Sequence, residues 1–496
     1  MCDRERGWSE VRDAWQVTVG SAAVGLAVAL TAVAVTGPWD SGQRTAERAR
    51  AASLGHRSGA EHTGTGVLEP APAFGSAGVL TGLGTAPRSP EGAAPDGDSA
   101  PDSGHAPLPA PAVLTEALDP LLEDDALGTL RTASVVDVLT GRQLYGARAG
   151  RSVVPASTVK VATAVAVLSA AGPDHRIATR VLWDAERERA VLVGGGDPTL
   201  TRGELERLAD ATARALEKRG AERITLGYDT SRYTGPARHP IGVNDNIAPV
   251  SALMLNAGRV DRSTTGPAPR SADPAADAAA AFADRLRDRG IDVERPAYLR
   301  TAPRDAGELA VHRSAPLSEL VERMLTHSDN DIAEALARQT AIARGEPASF
   351  AGAGRAVRAE LAEYGRRLPL RGARFMDGSG LSRSDRVSAE LLTRLLVLAA
   401  DPAHPGLRPV LTGLPVARFS GTLGSRYGDT TTRAGAGLVR AKTGTLTGVN
   451  TLAGTVVDAD GRLLAFAFTA SGTTDRHAAH TALDRLATAV ADCGCR

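Results

Sequence analysis

The run Val159 to Ala171 is apolar almost all round, with Lys160 its single charge, and an amphipathic surface helix does not have that pattern. It specifies a helix buried on every side, so the rest of the chain must enclose it. A lysine held there must find partners or give up its proton, because desolvation disfavours the ammonium form. Ser157 lies three positions earlier, which on a helix puts its hydroxyl and the Lys160 amine on one face. Pro155 fixes the approach and leaves Ser157 in the first turn, where free backbone NH groups and the positive dipole end favour a developing anion. A serine nucleophile with its own base is one reading of this stretch. A helix-capping serine beside a lysine that snorkels to the surface is the other, and Ser-x-x-Lys alone does not separate them.

Enclosing such a helix is within reach of 496 residues, which allow two to three domains. The 57 basic and 57 acidic residues cancel, so no field draws in nucleic acid, and no nucleic-acid partner is expected. Cys2, Cys493 and Cys495 provide neither a disulfide framework nor a Cys/His zinc spacing, and no metal is expected. Cys493 and Cys495 fit a small strained bridge or two free thiols, and no role is assigned to them.

Residues 16–36 carry no charge over about 21 positions, enough to cross a bilayer core of roughly 30 Å as a helix. Trp15 and Trp39 at its ends favour a retained transmembrane anchor over cleavage at Ala32-Val33-Ala34. Arginines flank both ends and leave the orientation open. Residues 37–112 are rich in Gly, Pro, Ala and Ser and are expected to form a disordered tether, with a coil span of roughly 45 to 50 Å. Residues 1–15 would then be a short cytoplasmic N-terminus.

Ordered sequence begins near Val113 with a helical pattern, and Thr132 to Leu139 and Arg142 to Arg148 read as a hairpin. After the Ser157 helix come strands at Ile177 to Trp183 and Ala190 to Val193. The second ends in Gly194-Gly195-Gly196-Asp197-Pro198, which lacks nucleotide-loop spacing. A helix at Glu204 to Arg219, a strand at Ile224 to Tyr228 and a helix at Ala276 to Arg289 suggest a small inserted α+β domain over residues 174–312. The main domain would occupy residues 113–173 and 313–491. Ser328-Asp329-Asn330 falls between helices at Leu317 to Leu325 and Ile332 to Ala343, Asp377 to Ser382 is a glycine-hinged loop, and Glu390 to Ala399 is helical. Leu438 to Leu446, Asn450 to Val457 and Arg462 to Thr469 are strands, and Asp475 to Ala491 closes the chain as a helix whose His477 and His480 read as surface residues. With the early hairpin these make a five-stranded antiparallel sheet joining both ends of an α/β sandwich.

Ser157-x-x-Lys160, Ser328-Asp329-Asn330 and Lys442-Thr443-Gly444, in that order, are the signature set of serine penicillin-binding proteins and β-lactamases. With Gly194-Gly-Gly-Asp-Pro-Thr-Leu, Ala248-Pro-Val-Ser-Ala-Leu-Met and Asp377-Gly-Ser-Gly-Leu-Ser, residues 113 to 490 resemble one family within that set. It is the D-alanyl-D-alanine carboxypeptidase/endopeptidase family of low-molecular-mass class C penicillin-binding proteins, peptidase family S13. The resemblance implies a serine β-lactamase/DD-peptidase-like sandwich interrupted by an inserted domain between the first two motifs. A Glu-x-x-Leu-Asn element of class A β-lactamases is absent between the motifs, and Ser328 stands where class C β-lactamases usually carry tyrosine; both depart from a β-lactamase.

The resemblance also implies roles. Ser157 is the nucleophile and Lys160 its base, kept neutral by burial and neighbouring cations. The backbone NH groups of Ser157 and Thr445 form the oxyanion hole, and Ser328 and Asn330 flank the scissile bond. Lys442, Thr443 and Thr445 receive the terminal carboxylate, while Gly444 leaves room for substrate along the strand. The implied partners are peptidoglycan stem peptides ending in D-Ala-D-Ala, with β-lactams as covalent inhibitors and no cofactor. Such a substrate lies outside the cytoplasmic membrane, so the catalytic domain is expected to be extracellular. A β-lactamase or esterase on the same scaffold, or a non-catalytic membrane-tethered peptidoglycan-binding protein, are the alternatives.

Overall fold

The structure is a computed structural model that describes residues 106–494 apart from residue 295. The expected N-terminus, anchor and all but the last residues of the tether lie outside the described residues, as does Cys495. Among the described residues no helix is long and apolar enough to cross a membrane.

In chain order, α1 (Pro111–Leu122) leads into the hairpin β1 (Leu130–Asp137) and β2 (Gln143–Ala147), and then α2 (Lys160–Ala171). Next come β3 (Arg176–Asp184), β4 (Arg189–Val193), α3 (Arg202–Glu217), β5 (Arg223–Asp229), α4 (Pro274–Asp288) and β6 (Gly307–Pro316). The helices α5 (Leu317–His327), α6 (Asn330–Ala343), α7 (Phe350–Ala362) and α8 (Ala389–Ala400) follow. The chain returns through β7 (Arg440–Leu446), β8 (Val449–Val457) and β9 (Leu463–Ser471) to α9 (Arg476–Asp492).

The main sheet is five-stranded and antiparallel, in the order β7-β8-β9-β1-β2, and joins both ends of the described chain. Side chains alternate across it. On one face Phe466 and Phe468 pack with Leu118 of α1 and Leu486 of α9; on the other, Ala465 and Ala467 join the core built around α2 and α8. Large residues fill the wide side, and small ones let the α2 layer approach closely. Every residue from Lys160 to Leu168 is buried, since α5, α6, α7 and α8 surround α2. Each Val or Leu so enclosed contributes roughly 1.5–3 kcal/mol relative to exposure. This is the expected α/β sandwich.

The α7 helix has no counterpart in the periodicity reading. Gly352 and Gly354 weaken its propensity, yet packing requires both, because a Cβ there would strike the carbonyl of Pro347 or Phe375.

The second sheet has its long strands in the order β5-β4-β3-β6, with β4 and β5 parallel and the other pairings antiparallel. A parallel pair needs a crossover, supplied by α3, which starts in a capping box between Thr201 and Glu204. Val181, Leu192, Leu205, Phe282 and Leu286 form a core of this sheet with α3 and α4. Its last strand, β6, runs on to Pro316 and so passes through the position, 313, at which the main domain was expected to resume. Its residues are mostly half-exposed, which leaves no clean alternation to read.

Candidate active site

Ser157 lies in a 3-10 turn, Ala156–Val159, that precedes α2, not in the first turn of α2 itself. Two contacts explain the tighter geometry. The Pro155 carbonyl accepts hydrogen bonds from Thr158 Oγ1 at 2.7 Å and from Thr451 Oγ1 of β8 at 2.9 Å. Ala156 is held at a φ of 47°, a left-handed conformation that costs a non-glycine residue on the order of 1 kcal/mol. The nucleophile candidate is therefore pinned to the sheet by its neighbours.

Lys160 Nζ is 2.9 Å from Ser157 Oγ, 2.7 Å from Asn330 Oδ1 and 2.7 Å from the Ser379 carbonyl, and the residue is fully buried. An amide oxygen and a carbonyl can only accept, whereas a hydroxyl can donate. Two N–H bonds, to Asn330 Oδ1 and the Ser379 carbonyl, leave the lone pair of a neutral amine for the Ser157 hydroxyl. Burial is the main influence on this amine and brings it down to about 8, with the carboxylates of Asp377, Asp329, Glu334 and Asp331 acting the other way. Of the two expected causes, burial is the principal one, and the carboxylates around the amine act against it.

Lys442 Nζ donates to Ser328 Oγ at 2.9 Å and to the Thr443 carbonyl at 2.7 Å. Burial and the charge of Lys160 push its amine well below the usual lysine range. Ser328 caps α5 in a left-handed conformation, φ 57°, which turns the chain so that Asn330 opens α6 beside Lys160. Asn330 Nδ2 donates to the Asn246 carbonyl at 3.0 Å. All three motifs are brought together around the Lys160 and Lys442 amines.

β7 is an edge strand of the sheet. Ala441 donates its NH to the Pro415 carbonyl, on the side away from β8. Residues of the same parity, Thr443 and Thr445, direct their NH groups to that open edge, toward the groove beside Ser157. Gly444 also has a packing reason for being small. A Cβ there would lie 2.8 Å from the Pro155 carbonyl, 3.1 Å from Ser157 N and against Thr451 Oγ1. The missing side chain admits the Ser157 turn. The Thr443 hydroxyl donates to Thr422 Oγ1 at 2.8 Å, and Thr445 Oγ1 is 3.1 Å from His480 Nε2. His480 is half-buried at the groove's edge, where burial first, then Arg426, lowers its imidazole to about 4. His477 is exposed.

The Asp377–Ser382 loop supplies the fourth wall. Glu334 Oε1 accepts the NH groups of Gly378 and Ser379, each at 3.0 Å, and Asp377 accepts those of Gly380 and Ser382, each at 2.6 Å. His239 Nε2 is 2.9 Å from Asp377 Oδ2, and Arg338 pairs with Glu334 at 3.1 Å. These bonds aim the Ser379 carbonyl at Lys160. The segment between β5 and α4 also clamps the second motif: Arg270 pairs with Asp331 at 3.0 Å, and Ala248 N donates to the same carboxylate at 3.0 Å. Sequence reading missed Glu334, His239, the two arginines and Asp385, whose Oδ1 accepts from Met376 N at 2.6 Å just before the loop. The one available signal was Glu334 and Arg338, an acid and a base four residues apart in α6.

The model of the D-Ala-D-Ala carboxypeptidase 3 (S13) family matches residues 114–269 and 263–492. The chain is 38% identical over 428 residues to carboxypeptidase DacB of Mycolicibacterium smegmatis, covering 82% of this chain and 90% of that protein. It is 31% identical over 436 residues to a D-alanyl-D-alanine carboxypeptidase of Actinomadura, covering 71% and 79%. Penicillin-binding protein 4 of Haemophilus influenzae, solved in complex with a β-lactam, superposes with a TM-score of 0.59 at 25% identity, covering 75% of this chain and 97% of that one. Three motifs meeting around the two buried amines of Lys160 and Lys442, in a sandwich whose sheet and helices these proteins share, have a single common description: the chain belongs to the S13 family of D-Ala-D-Ala carboxypeptidases, serine-type peptidases.

Proposed function

We propose that the protein is a serine-type D-alanyl-D-alanine carboxypeptidase that trims peptidoglycan stem peptides through an acyl-enzyme and is acylated by penicillin. The observation that carries this reading is the 2.9 Å approach of Lys160 Nζ to Ser157 Oγ, with the amine's other two partners both obligate acceptors. Ser157 Oγ attacks the carbonyl of the penultimate D-alanine while Lys160 takes its proton. The oxyanion is received by the NH groups of Ser157 and Thr445. Ser328 passes a proton to the leaving amine, and Asn330 orients the substrate amide. The substrate carboxylate, at Lys442, Thr443 and Thr445, favours the ammonium form of Lys442. That charge in turn favours neutral Lys160, so binding prepares the base. Water then releases the shortened peptide.

A fluorescent penicillin should label the protein covalently at Ser157, and intact mass should rise by one acyl group. Ser157→Ala should neither label nor release D-alanine from a pentapeptide analogue; labelling that persists in this variant removes the nucleophile assigned here.

We further propose a single-pass membrane location, with residues 16–36 as anchor, 37–112 as tether and an extracellular catalytic domain of residues 113–173 and 313–491 carrying an inserted domain, 174–312. The support is the charge-free segment, and a substrate that exists only beyond the membrane. Protease added to intact protoplasts should digest the catalytic domain, and its protection there would contradict this location.

A further inference from the structure

The two threonine hydroxyls of β7 each have a partner outside the three motifs. A hydroxyl has one proton to give, and that of Thr443 goes to Thr422 Oγ1 at 2.8 Å. Thr445 is different. Its Oγ1 lies 3.1 Å from His480 Nε2, and the hydrogen between them can belong to either atom. A carboxylate only accepts, so the choice decides what Thr445 can offer to one. Donating to a bare Nε2, Thr445 has no proton left for a ligand. Accepting from a protonated Nε2, it keeps its own proton free for the groove.

The fold holds His480 in place for that contact. It lies near the start of α9, and its carbonyl accepts from Arg426 Nη2 at 3.1 Å. The same guanidinium grips the buried Asp484, one turn further along, with bonds of 2.9 and 2.6 Å. Arg426 therefore ties this part of α9 to the segment that leads into β7. Arg426, Arg476 and His477 are the charged or titratable groups acting on the His480 ring, and with burial all of them favour its neutral form. A neutral imidazole carries a single N–H, on one nitrogen or the other.

We propose that His480 is a positioning residue for recognition of the substrate's free carboxylate: with its hydrogen on Nε2 it donates to Thr445 Oγ1 and so directs the Thr445 proton to that carboxylate. The assignment rests on the carboxypeptidase reading, which brings the carboxylate to Lys442, Thr443 and Thr445. Donor accounting is what gives His480 its weight. The Thr443 proton is engaged by Thr422, and Lys442 Nζ is shared with Ser328 Oγ and the Thr443 carbonyl. Of the two threonine protons, the one on Thr445 is then the one a carboxylate can take, provided that the imidazole does not take it first. His480 acts through Thr445 and has no part in the acyl transfer itself.

The test compares acylation of the full chain by benzylpenicillin and by its methyl ester, which lacks the carboxylate, with second-order rates followed by intact mass. His480→Leu should lower the ratio of the acid rate to the ester rate roughly three- to tenfold, the scale of one net hydrogen bond. His480→Gln, whose amide can donate to the same hydroxyl, should recover most of that ratio. Equal losses for the two probes would mark a merely structural role and overturn the assignment, as would an unchanged ratio. Should His480→Leu fail to fold by circular dichroism, the imidazole nitrogen shifts of His480 decide, read in Ser157→Ala saturated with an acylated peptide ending in D-Ala-D-Ala. A protonated Nε2 is expected, and a bare Nε2 overturns the proposal. Failure of benzylpenicillin to acylate the unaltered protein would instead remove the carboxypeptidase reading and this assignment with it, so the two failures are told apart.

Discussion

The proton on Lys160 sets a pH dependence that can be worked out from its surroundings. Burial lowers this amine to about 8 in the empty site. Only the neutral form can take the Ser157 proton. Its fraction is close to one above about pH 9, about one tenth at pH 7 and about one hundredth at pH 6. The second-order rate of acylation by a fluorescent penicillin, followed by stopped flow, should therefore climb about tenfold per unit from pH 6 to pH 7 and level off above about pH 9. The sign follows from the group: a lysine with a lowered value becomes a competent base as pH rises. Lys160→Met keeps most of the side-chain volume and removes the amine, so the rate should fall by roughly a thousandfold and lose its slope. Asp329→Asn removes one of the carboxylates that favour the ammonium while keeping an oxygen for the α6 cap, where Asp329 Oδ1 accepts from Ile332 N at 3.0 Å. Its plateau should begin at lower pH. A flat profile in the unaltered protein, or an undiminished slope in Lys160→Met, would refute Lys160 as the base.

Gly444→Ala should be damaging in two ways, since the added methyl meets the Pro155 carbonyl, Ser157 N and Thr451 Oγ1 at once. A loss of about 1–3 kcal/mol by chemical denaturation is expected, together with slower acylation as the Ser157 turn is displaced. Unchanged acylation would show that the turn and β7 can move apart freely. Asp385→Asn should have the opposite effect on stability. Burial and the Asp377 charge push the Asp385 carboxyl up to about 9, so the folded form holds a proton that the unfolded chain has shed by neutral pH. Its contribution therefore falls as pH rises from about 4 toward 9. Asparagine keeps the Met376 N donor's acceptor, bonded at 2.6 Å, and removes that penalty. The melting temperature of Asp385→Asn should exceed that of the parent at pH 8, with the gap narrowing toward pH 4; a gap that widens on acidification contradicts the assigned protonation.

Much of the fold was legible because its principal signals are local. Alternation located β1, turn residues and strand-like runs located β2, β7, β8 and β9, and the all-round apolar run fixed α2 as a central helix. The reactive trio was legible for the same reason: Ser157 and Lys160 are three apart, and the other two motifs are contiguous. What escaped was whatever depends on partners far along the chain. Gly352 and Gly354 look like helix breakers until Pro347 and Phe375 are seen against them, and Gly444 owes its size to a turn nearly three hundred residues earlier. Glu334 and His239 carry no motif, and they matter only because they grip the backbone of a loop that spacing alone cannot bring near Lys160. Covalent neighbours set hydrogen-bonding periodicity and therefore helices, strands and short motifs. Burial, and with it the protonation of Lys160 and Lys442, is a property of what packs around a group from every direction, and it exists only once the distant segments have met.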